Sequence, residues 1–257
     1  MNPLRTIAER MTRSLVIKRR LPAQLNRRPF WGAADSALGY LRPSLPSEEL
    51  FAIALEFVNA GDTVWDVGAN VGLFTFSAAD RAGESGLVVA IEADIWLANL
   101  LRRSCEFSEN GDLNIAVVPS AASDSIGISK LLIAKRGRSS NALERSGHRT
   151  QAGGTRYVQY TPTVTLDSLL EVFHAPSFLK IDAEGAEQYI LRGAKRILSE
   201  HRPVVYCEVG AEQNDQIVGI FHEHDYKLYD PGETERREVV ACPSNTLAIP
   251  SERAGTG

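Results

Sequence analysis

Asp182, Glu184 and Glu187 place three carboxylates within six residues. Asp182 ends an otherwise apolar run, Ser177-Phe178-Leu179-Lys180-Ile181-Asp182, whose composition suits a buried strand. An unpartnered carboxylate in such a place is costly unless something binds it. It can also take the proton from a hydroxyl whose oxygen attacks an electrophile, a role typically worth ~10² to 10⁴ in rate. Asp182 is the first candidate for this general base, followed by Glu184 and by Glu208, which ends a second apolar run, Pro203–Glu208. Glu187 reads instead as an acid that complements the positive end of the following helix. Lys180 precedes Asp182 by two residues and shares its strand face, so a structural Lys180–Asp182 ion pair competes with the catalytic reading. A divalent ion held by Asp182 and Glu208 is a less favoured way of activating a hydroxyl. No resident metal is expected, because His174, His201, His222 and His224 lack i,i+4 spacing on an apolar helix face, and Cys105, Cys207 and Cys242 form no C-x-x-C pair. His148 lies in a polar segment and reaches a site only if that segment closes over it.

Asp66-Val67-Gly68-Ala69-Asn70-Val71-Gly72 occupies a strand-to-helix turn. Gly68 lets the backbone turn sharply beside a ligand, and Gly72 lets the helix pack tightly on the strand. Backbone N–H groups of this turn, helped by the helix N-terminus, can hold a carboxylate or hydroxyls. Glu92 follows Gly72 by twenty residues at the end of the next strand, where an acid accepts the two ribose hydroxyls of an adenosine. A dinucleotide site needs a glycine where Asn70 stands, which disfavours a pyrophosphate ligand and a nucleotide-dependent oxidoreductase. Asp66 would set a carboxylate near the ligand's charged end, which suits a sulfonium or ammonium rather than a phosphate. An adenosine with a cationic tail is S-adenosylmethionine.

Strand and helix signals alternate around these residues. Ser47, Glu48 and Glu49 open an amphipathic pattern that reads as a helix capped by Ser47. Strands are predicted at Thr63–Val67, Leu87–Glu92, Asn114–Val118, Ser177–Asp182 and Pro203–Glu208, and helices at Leu73–Ala82, Ile95–Cys105 and Ala186–Ser199. The pattern predicts an α/β fold with a Rossmann-like, doubly wound, mostly parallel sheet that gathers ligands at the carboxyl ends of its strands. Residues 131–162 interrupt it with Arg, Ser, Gly and Thr and read as a hairpin or loop insertion. Their arginines, Arg136, Arg138, Arg145, Arg149 and Arg156, would contact an anionic acceptor or form a solvated basic face.

With 257 residues and 44% hydrophobic content, the chain can bury a full core without disulfides. Its net charge of −4 divides unevenly: residues 1–44 carry +7 and residues 45–257 carry −11. The expected organisation is a basic N-terminal helical extension over 1–44, a main domain over 45–250 and a flexible tail over 251–257. Leu4, Ile7, Met11 and Leu15 have helical spacing, which predicts a helix packed on the main domain in preference to one that touches a membrane through residues 1–20. The acidic main domain argues against nucleic acid as a partner. No apolar run is long enough to span a bilayer, no secretory leader is evident, and the cysteines read as reduced thiols, so a cytoplasmic location is expected.

Taken together, Asp66–Gly72, Glu92, Thr165-Leu166-Asp167-Ser168-Leu169, Leu179–Glu187 and Leu191-Arg192-Gly193-Ala194 resemble the FkbM family of class I S-adenosylmethionine-dependent methyltransferases over about residues 60–230. The resemblance implies that the glycine turn (Gly68, Ala69, Asn70 and Gly72, with Asp66 before it) and Glu92 bind the methyl donor. It also implies that the Lys180–Glu187 segment borders the reaction site. Pro119–Asp124 resembles the family's segment after the third strand, which puts Ala122 and Asp124 near the adenine. Members of this kind methylate hydroxyls of sugars, glycans, polyketides or other secondary metabolites, so a small-molecule or glycan acceptor is implied. A protein that keeps the donor pocket without the chemistry is the remaining alternative. The chain departs from the family in having Asp225 where a glycine often precedes the late tyrosine, here Tyr226.

Overall fold

The central strands are apolar at nearly every position because both faces of their sheet are covered. The computed structural model describes residues 12–146, 153–233 and 235–254. Strands β1 (Val16–Arg20) and β2 (Pro29–Ala33) form an antiparallel hairpin ahead of helix α1 (Glu48–Phe57). Next come β3 (Thr63–Val67), α2 (Leu73–Ala82), β4 (Leu87–Ile91), α3 (Ile95–Cys105) and β5 (Ile115–Val118). A separate small sheet is built from β6 (Ala121–Ala122), β7 (Gly127–Ala134), β8 (Ala142–Leu143) and β9 (Thr155–Val164). The chain then runs through α4 (Leu166–Leu169), β10 (Phe178–Ile181), α5 (Glu187–Arg192), β11 (Val204–Glu208), α6 (Asn214–Glu223), β12 (Tyr226–Tyr229), β13 (Glu238–Val239) and β14 (Asn245–Pro250).

The main sheet has the order β13-β12-β14-β11-β10-β3-β4-β5. Strands β11, β10, β3, β4 and β5 are mutually parallel, while β14, β12 and β13 add an antiparallel flank. Winding reverses between β3 and β10, since β4 and β5 lie on one side of β3 and β10 and β11 on the other. That reversal opens a crevice at the carboxyl ends of β3, β4 and β10, where doubly wound sheets bind ligands. Alternate residues face opposite layers. Trp65, Val67, Val89 and Ile91 pack with Ile190, Leu191 and Phe221 from α5 and α6. Val64 and Val88 pack with Phe74 and Ala78 of α2 and with Ile53 and Ala54 of α1.

The N-terminal extension forms a hairpin in place of a helix over residues 16–33, with a single 3₁₀ turn at Ala23–Leu25 between its strands. Leu21, Leu25, Phe30 and Ala33 bury the hairpin against α2 and α3, and its basic residues meet acids of the main domain. Arg28 pairs with Asp80 and with Asp112, each at 2.6 Å, and Lys18 and Arg20 reach Glu109 at 3.1 and 2.8 Å. The charge imbalance in the sequence is thus complementarity between two parts of one fold. The predicted helix through Leu4, Ile7 and Met11 lies outside the described residues, as do His148, Arg149 and residues 255–257. The insertion is a hairpin, β7 against β9, that begins at Gly127 and carries the β8 excursion.

Three further expectations change. Ser47 stands at φ 63 and makes no side-chain cap, so α1 begins without one. Ser251–Arg253 form a 3₁₀ turn held by Glu252 on Arg202 at 2.6 Å, so the flexible tail does not begin at 251. The predicted helix over 186–199 stops at Arg192 and resumes as a π-helical turn over Ile197–His201. Its interruption has two causes. The Ser123 carbonyl oxygen would lie 2.1 Å from a Cβ at Gly193, and the Asp167 carboxylate accepts the Arg196 and Ile197 N–H groups at 3.0 and 3.1 Å, capping the second piece. No helix among the described residues is long and apolar enough to cross a membrane. Gly193→Ala forces the Ser123 backbone aside, so urea unfolding should report a loss of ~1–3 kcal/mol, as overpacking does; an unchanged midpoint would contradict this close approach.

Candidate active site

The turn after β3 is folded back on the end of β4: the N–H groups of Gly68 and Ala69 both donate to the Ile91 carbonyl, at 2.9 and 3.1 Å. Left-handed backbone at Gly68 (φ 75), Asn70 (φ 54) and Gly72 (φ 92) makes this reversal. Gly68 has no alternative, because a Cβ there would sit 1.8 Å from the Asp182 carbonyl oxygen. Gly72 instead packs against Phe76 and Leu101, and Ala69 is buried in the core beneath the hairpin, so these two shape the turn without lining the crevice. Asn70 holds the turn through its side chain, whose Oδ1 accepts from the Val71 N–H at 2.8 Å and from the Ser36 hydroxyl at 2.6 Å.

Glu92 is 7% exposed, and each of its oxygens accepts a backbone N–H: Oε2 from Asn70 and Oε1 from Asp94, both at 2.7 Å. Burial pushes its carboxyl up to about 7, against the pull of those two N–H groups. Glu92 lines the crevice, and each of its oxygens keeps a second lone pair beyond the backbone N–H that it accepts. The crevice encloses about 780 Å³, part of it open to solvent. Near Glu92 its wall is apolar, formed by Ala93, Ala122, Leu131 and Leu143, and suits a flat heteroaromatic ring. Asp124 lies outside the crevice, bound to Arg145 at 2.7 and 3.1 Å.

Below the turn, Asp66 and Lys180 are opposite one another on β3 and β10. The Lys180 ammonium is buried and lies 3.1 Å from Asp66, 3.0 Å from the Gly68 carbonyl and 3.6 Å from Asp182. These carboxylates hold its pKa above the ordinary lysine value despite burial. Asp66 spends its other oxygen on the Thr75 hydroxyl at 2.6 Å. It is therefore a structural partner of Lys180 that does not line the crevice, contrary to the expectation of a carboxylate beside the ligand. The Lys180–Asp182 pair does form, with Asp66 the nearer partner of the two.

Asp182, Glu184 and Glu208 line the opposite half of the crevice. The Asp182 side chain is 35% exposed there. Burial, together with the neighbouring Asp182 carboxylate, pushes Glu208 up to about 8. Glu184 and Gly185 take left-handed backbone, φ 51 and 95, and the loop is fixed by Glu187, whose Oε1 accepts from the Ala183 and Gly185 N–H groups at 3.1 and 3.0 Å. Glu187 thus shapes the Asp182–Gly185 loop. Among the described residues, no three His, Cys, Asp or Glu side chains converge as metal ligands.

Arg138, Ser139, Asn141 and Ser120 also line the crevice, and sequence reasoning did not single out the last three. Arg138 was read among several insertion arginines that would contact an anionic acceptor or form a solvated basic face, whereas it is buried on Asp35 and Asp94. Asp225 adopts φ 58, which accounts for the glycine that usually stands there, and the Tyr226 hydroxyl next to it donates to the Pro203 carbonyl at 3.0 Å.

The crevice therefore combines a glycine turn, a buried acid poised for a ribose and a carboxylate pair. Residues 66–228 match the methyltransferase FkbM domain. No curated protein matches the chain. Similar solved structures include an FkbM methyltransferase from Methylobacillus flagellatus KT, at 18% identity and TM-score 0.46 over 73% of this chain. This chain spans 43% of that protein's length. A precorrin-6y C5,15-methyltransferase from Geobacter metallireducens GS-15 aligns at 12% identity and TM-score 0.46, covering 80% of this chain and 89% of its own. An rRNA methylase, so named provisionally, from Clostridium thermocellum aligns at 10% identity and TM-score 0.45, covering 79% and 92%. The matched domain takes in the glycine turn, Glu92 and the Lys180–Glu208 region, and on that match the chain belongs to the FkbM family of S-adenosylmethionine-dependent methyltransferases.

Proposed function

We propose that the protein transfers a methyl group to a hydroxyl oxygen of a neutral, hydroxyl-rich small molecule or glycan, with Asp182 as the general base. The observation that carries this is a partly exposed Asp182 carboxylate in the crevice, held between Lys180 and Glu208 on the side away from Glu92. Bound S-adenosylmethionine supplies an electrophilic methyl on a sulfonium. Glu92 and the Asn70 region of the glycine turn bind its adenosine, and Ala122 with Leu143 covers the ring. Asp182 and Glu184, joined by Glu208 once it ionises, would put carboxylate charge at the sulfonium end, where a cation is favoured.

Asp182 would take the proton of the acceptor hydroxyl as the methyl C–S bond gives way to the new C–O bond, with the neutral thioether S-adenosylhomocysteine as the leaving group. Lys180 keeps Asp182 from drifting, and positioning supplies a large share of the acceleration in such in-line transfers. Glu208, pushed up to about 8 by burial and the neighbouring Asp182 charge, is protonated near neutrality, and its ionisation adds a negative charge beside the proton being removed. A neutral acceptor is favoured because three of the insertion's arginines are engaged with acids: Arg138 and Arg156 on Asp35, and Arg145 on Asp124. The acceptor half is left with carboxylates, which repel an anion.

Calorimetric titration should show micromolar binding of S-adenosylmethionine that Glu92→Ala weakens by about tenfold to a hundredfold, the cost of a lost charged hydrogen-bond acceptor. Equal affinity in the variant would remove Glu92 from the donor site. Asp182→Asn should lower turnover ~10² to 10⁴-fold on a hydroxyl acceptor with donor affinity kept. Near-normal turnover at saturating donor would eliminate Asp182 as the base, and donor binding with no turnover on any hydroxyl acceptor would eliminate O-methylation. The pH–rate profile should rise through about 8 as Glu208 loses its proton, and Glu208→Gln should flatten that limb; a limb that persists in the variant assigns the titration to another group.

A further inference from the structure

Residues from three distant parts of the chain close the Glu92 end of the crevice, and they meet on one guanidinium. Arg138 is 8% exposed. Its Nε donates to Asp35 at 2.7 Å, its Nη1 to Asp94 at 2.5 Å and its Nη2 to the Tyr157 hydroxyl at 3.0 Å. The guanidinium also lies 4.7 Å from the centroid of the Trp96 ring. Asp35 follows the N-terminal hairpin, Asp94 caps α3 by accepting the Trp96 N–H at 2.8 Å, and Arg138 belongs to the β7–β9 insertion. The Arg138 N–H adds a bond to the Asp35 carbonyl at 2.7 Å, Asn141 donates to Asp94 at 2.7 Å, and Arg156 grips Asp35 with two bonds of 2.9 and 2.7 Å.

From this cluster the contacts run directly to the donor acid, because the Asp94 N–H is one of the two that orient Glu92. On the other side of Asp35, the Ser36 hydroxyl reaches Asn70, whose N–H is the second. Both supports of Glu92 therefore lead to Asp35, Asp94 and Arg138. The same arginine fixes the segment that presents Ser139, Asn141 and Leu143 to the crevice.

We propose that Arg138 is a positioning residue for the methyl donor: by bridging Asp35 and Asp94 it clamps the insertion over the donor half of the crevice and orients Glu92. This rests on assigning that half to S-adenosylmethionine. Only a guanidinium suits the position, since its planar fork reaches two carboxylates in fixed directions while its face lies on an indole. An ammonium compensates charge but spans only one of them. The cluster lies away from Asp182 and Glu208, so it acts on donor affinity and not on proton transfer.

The test is calorimetry with S-adenosylmethionine and S-adenosylhomocysteine, together with steady-state kinetics, on the full chain and on Arg138→Lys and Asn141→Ala. Arg138→Lys keeps a cation between the two buried aspartates and so preserves the fold, which its urea transition verifies. The expected result is a dissociation constant for both ligands raised about tenfold or more, a donor KM raised in parallel, and a kcat that falls by a smaller factor. A folded Arg138→Lys protein that binds both ligands as tightly as wild type overturns the proposal, as does a fall in kcat at unchanged KM. Where Arg138→Lys does not fold, Asn141→Ala, which cuts the same link at Asp94, decides: weakened donor binding supports the clamp and unchanged binding overturns it. Failure of the wild type to bind either ligand removes the assignment of the crevice itself, which separates that error from an error about Arg138.

Discussion

The buried ammonium of Lys180 is the contact on which the rest of the crevice depends. It sits at the point where the sheet reverses its winding, opposite Asp66 in the β3–β10 register, and reaches Gly68 and Asp182 from the same position. Burying such a pair costs several kcal/mol per ion in desolvation, which good geometry and further hydrogen bonds must offset. Here the Thr75 hydroxyl and the Gly68 carbonyl supply them. An apolar pair would fill the space as well. It would not tie the glycine turn to Asp182, and Lys180 does so with one atom.

Much of this is local enough to read from the chain. Apolar β-branched runs separated by amphipathic stretches place the parallel strands, because both faces of each strand are covered. Gly68 signals its turn because no side chain fits against the Asp182 carbonyl, and Glu92 is found by its distance from that turn. Residues whose neighbours lie far along the chain are misread. Asp66 was assigned to the ligand from its place beside the glycine turn, yet its partners are Thr75 on the next helix and Lys180 on a strand more than a hundred residues later. Glu187 was read as a helix-dipole acid, and it is the clamp of the loop before it.

The N-terminal segment shows the same limit in reverse. Its composition reads as a basic helical extension, but over the described residues Asn26 and Arg27 take left-handed backbone within a hairpin whose cations are matched by Asp80, Glu109 and Asp112. Neither half of that complementarity carries a signal alone. Arg138 is harder still to read, since nothing in a polar, arginine-rich loop distinguishes the one side chain that will be buried between Asp35 and Asp94.

Charge then separates the two halves of the crevice by construction. At the Glu92 end, the donor site is made of backbone N–H groups, one buried acid and an apolar wall, all anchored to the sheet or to the Asp35–Arg138–Asp94 cluster. At the other end, Asp182, Glu184 and Glu208 project from strand ends and one short loop. Among the described cations near the cleft, Arg138, Arg145, Arg156 and Lys180 each face a carboxylate. The Glu92 end is therefore anchored through the Asp35–Arg138–Asp94 cluster, and the Ala183–Gly185 loop at the other end through the Glu187 carboxylate, so the two ends of the crevice rest on separate sets of contacts.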